Sequence, residues 1–145
     1  MDRGAAVILM ALVGGLIAAQ AVINAGLGKA TGNIAAALVS FAVGTLALAV
    51  IVGLAGQAGG VGEAFSVPWY YLLGGLLGAA YVFTALVTVS SIGAGGVAAA
   101  TITGQLTFSL ILDRVGFLGL EETPITLDRV LGVALLLAGT FLIVR

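Results

Sequence analysis

Polar side chains stand inside otherwise apolar runs of this 145-residue chain, at intervals that gather them on common helix faces. Gln20 and Asn24 are four residues apart, and Thr101, Gln105 and Ser109 follow one another at the same step, so each set lines one side of a helix. Tyr81, Thr84 and Thr88 are spaced by three and four and share one broad face. The chemistry these groups support is hydrogen bonding without formal charge. An amide presents donors and an acceptor, and several of them together replace part of a solute's hydration shell. Gln20, Asn24, Tyr81, Thr101, Gln105 and Ser109 are therefore the candidate solute-lining residues. The alternative is that the amides join helices, at about 0.6–2 kcal/mol per interhelical hydrogen bond.

Other chemistry is excluded by what the chain lacks. It has no Cys and no His, which removes thiol nucleophiles, thiolate and imidazole metal ligands, haem attachment and the usual general base. The expectation is a protein that is not an enzyme and has neither a cofactor nor a metal centre. No Asp, Glu, Lys or Arg lies deep in an apolar run, which argues against a central carboxylate that exchanges a cation for protons. Any proton coupling falls to groups at the edges, Glu63 or Asp113, and the stripe of Thr101, Gln105 and Ser109 points toward Asp113. With 5 basic and 6 acidic residues and a net charge of −1, there is no polybasic face for nucleic acid.

The elements that must position these residues follow from hydropathy. The chain is 61% hydrophobic and 8% charged, with a mean hydropathy of +1.29, whereas a soluble domain carries about 25% charged residues. Its apolar excess must face lipid, and the charges, costing about 2.5–3.5 kcal/mol each at a helix centre, mark the interfaces. The intervals between charges then predict an all-α membrane domain over 1–145 with five spans, at about 4–27, 34–54, 69–89, 97–112 and 125–144. The 49 uncharged residues between Glu63 and Asp113 are too many for one crossing of roughly 30 Å, so this run must fold back. The break is expected at Ser90–Gly96, and a glycine-rich turn at Gly56–Gly62. Pro68 stands at an expected first helical position, before an interfacial belt of Trp69, Tyr70 and Tyr71. Asp113–Asp128 reads as an extramembrane loop or short interfacial helix, and the last span is expected to start near Ile125, with Thr126 as its cap and Asp128 in its first turn. Four spans with a half-inserted tail is the alternative arrangement. Arg3, the apolar stretch after it and Ala19-Gln20-Ala21 also resemble a signal peptide with its cleavage site, but the run continues to Leu27 and further spans follow, which favours an uncleaved first helix. Small residues at Ser40 and Gly44, and at Gly74 and Gly78, form faces that allow close helix approach.

The order Gln20-x-x-x-Asn24, Ser40-Phe41-x-x-Gly44, Gly74-Gly75-x-x-Gly78-Ala79-x-Tyr81, Thr103-Gly104-Gln105-Leu106 and Asp113-x-x-Gly116 resembles the YdcZ-like inner-membrane proteins of the drug/metabolite transporter superfamily. The resemblance spans nearly the whole chain. It implies a five-helix half-transporter of a bacterial inner membrane, one half of an inverted repeat, occurring either as separate short chains or as two fused halves of opposite orientation. The binding carboxylate in the first helix of the small multidrug resistance relatives has no counterpart here, where Gln20 and Asn24 are the polar residues of that helix. The expected function is transport of a small metabolite by a homodimer in membrane lipid, with the pathway at the dimer axis. A passive channel for a small ion or neutral solute and a purely structural membrane subunit are the alternatives.

Five spans place Arg3, Arg114 and Arg129 on one side and Lys29 and Arg145 on the other, which is almost no positive-inside bias. An antiparallel dimer of chains inserted both ways is therefore expected. Reporters fused to the C-terminus should give signal on both sides of the membrane, and two Lys added near Lys29 should draw the population to one orientation. A wild-type population inserted in one direction only would remove the main support for the antiparallel dimer.

Overall fold

The computed structural model describes residues 2–119 and 121–145, and among them every regular element is helical. Helix α1 spans Arg3–Thr31 and is opened by Asp2, whose Oδ1 accepts the Ala5 N–H at 2.9 Å. That carboxylate meets the positive end of the helix dipole, and Lys29 stands near the negative end. A single residue, Gly32, separates α1 from α2, which spans Asn33–Leu54. Its φ of 85° and ψ of 151° suit glycine alone, and its N–H closes α1 by donating to Gly28 O at 2.8 Å. The hairpin is tight at this end. A Cβ on Gly28 would lie 2.9 Å from Asn33 Oδ1 and 3.2 Å from Leu86 Cδ2, and Ala36 on the facing turn is completely buried. Helix α1 thus runs four residues past the expected Leu27, because the reversal is confined to one glycine.

The stretch expected as a glycine-rich turn contains a short helix, α3, Ala58–Glu63. Gly56 takes the left-handed conformation at φ 68°, so the reversal is complete there and the residues after it are free to close a helical turn. Pro68 occupies the cap of a 3-10 turn, Trp69–Leu72, rather than a first helical position, since its ψ of 133° is extended. Trp69, Tyr70 and Tyr71 are all exposed, with Trp69 edge-on to Tyr70 at 6.3 Å and Tyr70 tilted against Tyr71 at 4.8 Å between ring centres.

Helix α4 follows, Leu73–Val115, and Gly93 inside it leaves helical geometry at φ 70° and ψ 168°. With its lead-in turn this is one of four helices among the described residues that are long and apolar enough to cross a membrane, where the sequence predicts five spans. The difference lies wholly in α4, whose 43 residues would measure about 65 Å as one rod, twice the hydrocarbon thickness of roughly 30 Å. The expected break at Ser90–Gly96 contracts to Gly93, and the residues around it remain helical. Beyond α4, Gly116, Leu118 and Gly119 all have positive φ, forming a 3-10 turn at Phe117–Gly119. Leu120, within the expected loop, lies outside the described residues. Helix α5, Leu127–Val144, begins two residues after Ile125, with Thr126 in extended geometry at the cap position and Asp128 in the first turn. The Thr126 hydroxyl makes no capping bond.

The chain divides into two compact units, Met1–Ser90 and Ser91–Arg145. In the first, the buried apolar side chains are Ala21, Ala36, Val82, Ala85 and Leu86, mostly small and drawn from α1, α2 and the first part of α4. In the second, Val97 is the buried aliphatic residue. The large side chains, Leu9, Leu16, Leu46, Leu76, Leu135 and Phe141 among them, are exposed. This inverts a soluble fold: small residues pack inside and large ones face lipid.

Gly93→Val should destabilise the protein by about 1–3 kcal/mol in unfolding titrations from detergent micelles, because its backbone conformation is closed to branched residues. Gly104→Ala, where a Cβ meets nothing within 4 Å, should stay within about 0.5 kcal/mol. Equal responses would show that the Gly93 geometry constrains nothing.

Candidate functional site

In the first unit, Gln20 and Asn24 of α1 meet Tyr81 of α4 around one crevice, with Ala21, Val82 and Ala85 as its apolar walls. The small side chains Ala21 and Ala85 are buried between these helices and let them come close. The crevice holds about 180 Å³ of space, no part of it wide enough for a water-sized sphere. Asn24 is only 5% exposed, yet its side chain makes no hydrogen bond to any described residue. No side-chain nitrogen or oxygen among the described residues is sealed off without a partner, so the Asn24 amide stays within reach of water. Gln20 is exposed and Tyr81 half-buried. Thr84 and Thr88, expected on the Tyr81 face, do not line the crevice; the Thr88 hydroxyl donates to Thr84 O at 2.8 Å within its own helix.

The expected small-residue faces behave differently from one another. At Gly44 and Gly74 no neighbouring atom lies within 4 Å of the Cβ position, and Gly78 meets the Phe41 ring at 3.7 Å. The closest helix approach is at Gly28 instead, because the one-residue joint brings the ends of α1 and α2 together there. Phe41 and Phe83 border an apolar groove of about 460 Å³ between α2 and α4.

In the second unit, Thr101 and Ser109 are half-buried and Gln105 is exposed. The Ser109 hydroxyl donates to Leu106 O at 3.0 Å, so it is satisfied within α4, whereas Gln105 bonds to no described side chain or backbone group. Asp113 is paired with Arg129, Oδ2 to Nη1 at 3.3 Å, across the ends of α4 and α5, and its backbone carbonyl accepts the Thr123 N–H at 2.9 Å. The carboxylate expected to couple transport to protons therefore has a cation beside it.

Sequence reasoning named Thr103 only within the family motif and did not single out Thr140. Thr103 is 6% exposed, its Oγ1 lies 2.7 Å from Thr140 Oγ1, and Ala99 O is within reach of both, at 2.8 Å and 3.1 Å. Each hydroxyl has one proton, so one donates to the carbonyl and the other to its partner hydroxyl. This knot ties α4 to α5. The signal available was Thr140, the lone hydroxyl within the apolar run Val130–Val144, which in lipid needs a partner in its own helix or on another.

The family described as "Putative inner membrane exporter, YdcZ" matches residues 5–142. The chain belongs to the YdcZ family. No curated protein and no solved structure matches it. The YdcZ match runs from α1 into α5, and with four helices among the described residues apolar and long enough to cross a membrane, the protein resides in the inner membrane. The role carried by the YdcZ description is export across that membrane, which is not a class of enzyme.

In this YdcZ member, Thr103→Val and Thr140→Val should each destabilise the fold, and a double-mutant cycle should return a coupling of about 0.6–1.7 kcal/mol. A coupling near zero would mean that each hydroxyl is satisfied within its own helix.

Proposed function

We propose that the chain is one five-span membrane domain over 1–145, half of an exporter for a small metabolite, which works as an antiparallel homodimer with the pathway at the dimer axis. The two parts of α4 on either side of Gly93 cross the bilayer separately, a reading supported by the length of the helix against the thickness of lipid. Gln20, Asn24, Tyr81, Thr101, Gln105 and Ser109 line the pathway. The observation that carries this reading is the Asn24 amide, buried yet unbonded, on a crevice that it shares with Gln20 and Tyr81.

An amide so little exposed and without a protein partner is expensive unless water or a solute bonds to it. Gln105 poses the same problem on an exposed face of α4, which favours a second copy or a wet path covering it. The near-even split of basic residues suits chains inserted in both directions. A crevice too narrow for water favours a carrier that opens and closes over a permanently open channel. Asp113 is the carboxylate left for proton coupling, which would open and close its pair with Arg129.

Asn24→Leu and Gln105→Leu should abolish saturable counterflow of labelled metabolites in proteoliposomes while the dimer persists in detergent, since side-chain volume is roughly kept and hydrogen bonding is lost. Normal counterflow would remove the amides from the pathway. Dissociation into monomers would assign them to helix association instead.

A further inference from the structure

The crevice between α1 and α4 has a composition that restricts what it can hold. Its polar groups are two carboxamides and a phenol, and none of its lining residues carries a formal charge. The charged residues of the first unit, Asp2, Arg3, Lys29 and Glu63, lie at or beyond helix ends. Lys29, five residues beyond Asn24, is turned about 140° away from it around α1 and is exposed. A net charge placed beside Asn24 would thus be desolvated with no counter-charge in contact, a penalty of several kcal/mol per ion even after relaxation. Closing α1 onto α4 around a solute would strip that solute's hydration shell and make the penalty unavoidable.

The amides reward the opposite property. Each carboxamide offers two N–H donors and an acceptor oxygen, and the Tyr81 hydroxyl offers one donor and an acceptor, so donors and acceptors both converge on one small space. A solute that only accepts, or only donates, leaves part of this set unpaired, and an unpaired buried amide is itself costly. From this we propose that the α1–α4 crevice selects an uncharged solute bearing both hydrogen-bond donors and acceptors, of the kind found in polyols and primary amides, and rejects organic ions. This inference rests on the proposed role of Gln20, Asn24 and Tyr81 as the solute site and adds the class of solute.

The test uses the full chain purified into lipid nanodiscs, with melting temperature read in the presence of erythritol and malonamide as uncharged probes, tetramethylammonium and guanidinium as cations, and succinate as an anion. At least one uncharged probe should raise the melting temperature, and Asn24→Leu should lower its apparent affinity by roughly tenfold, the scale of one hydrogen bond to a buried group. The ions should leave wild-type protein unchanged. Asn24→Asp, nearly identical in shape and so tolerant of any folding defect in the leucine variant, should weaken the uncharged probe and create a response to guanidinium. A response of wild-type protein to a cation or to succinate that Asn24→Leu abolishes would keep the site and overturn the solute class. A response to an uncharged probe that is equal in wild type and both variants would overturn the site itself. Silence toward both uncharged probes would overturn the class as stated.

Discussion

Lipid hydrocarbon offers a polar group no hydrogen-bond partner, and the disposition of almost every polar side chain in this protein follows from that shortage. Thr88, Thr107 and Ser109 return their protons to carbonyls three or four residues back along α4, which satisfies them at no cost in contacts elsewhere. Thr103 and Thr140 satisfy each other and a shared carbonyl at Ala99, and in doing so join two helices. Asn24 follows neither course. A nearly buried amide without a bond to any described residue, at a place where helices meet, is the feature on which the proposed solute site rests.

The same solvent shapes the packing. No gain comes from hiding large aliphatic groups, because lipid is as apolar as leucine, so the buried set is alanine, glycine and a few medium side chains. Gly28 shows the limit of this economy: it sits where a single methyl group would press on Asn33 and Leu86. Joints obey a related constraint. Gly32 and Gly93 both take backbone angles that branched residues avoid, and in each case the departure from helix is one residue long. A helix that continues to either side of such a joint leaves very few backbone groups unbonded, which suits a reversal close to lipid.

Charge is handled by keeping it at the ends. Asp2 caps α1, Lys29 closes it, and Asp113 pairs with Arg129 where α4 and α5 approach the surface. The interior is left to amides and hydroxyls, and a site built from them can discriminate by hydrogen-bond pattern and by the cost of desolvating charge, with little dependence on the membrane field.

Hydropathy made the membrane environment, the all-helical class and the approximate helix positions legible in the sequence, because the price of charge in lipid spaces the charges at intervals of a crossing. The i, i+4 repeats likewise placed Gln20 with Asn24 on one face, since helical periodicity is a local property. What no local rule contains is which faces meet. That Tyr81 reaches the Gln20–Asn24 crevice while Thr84 and Thr88 do not, that Gly28 and not Gly74 is the point of close approach, and that Thr140 finds Thr103 were decided by tertiary packing. The physical reason is that a helix offers several small or polar faces of similar propensity, and the choice among them depends on the angle at joints such as Gly32 and on side chains far away in sequence.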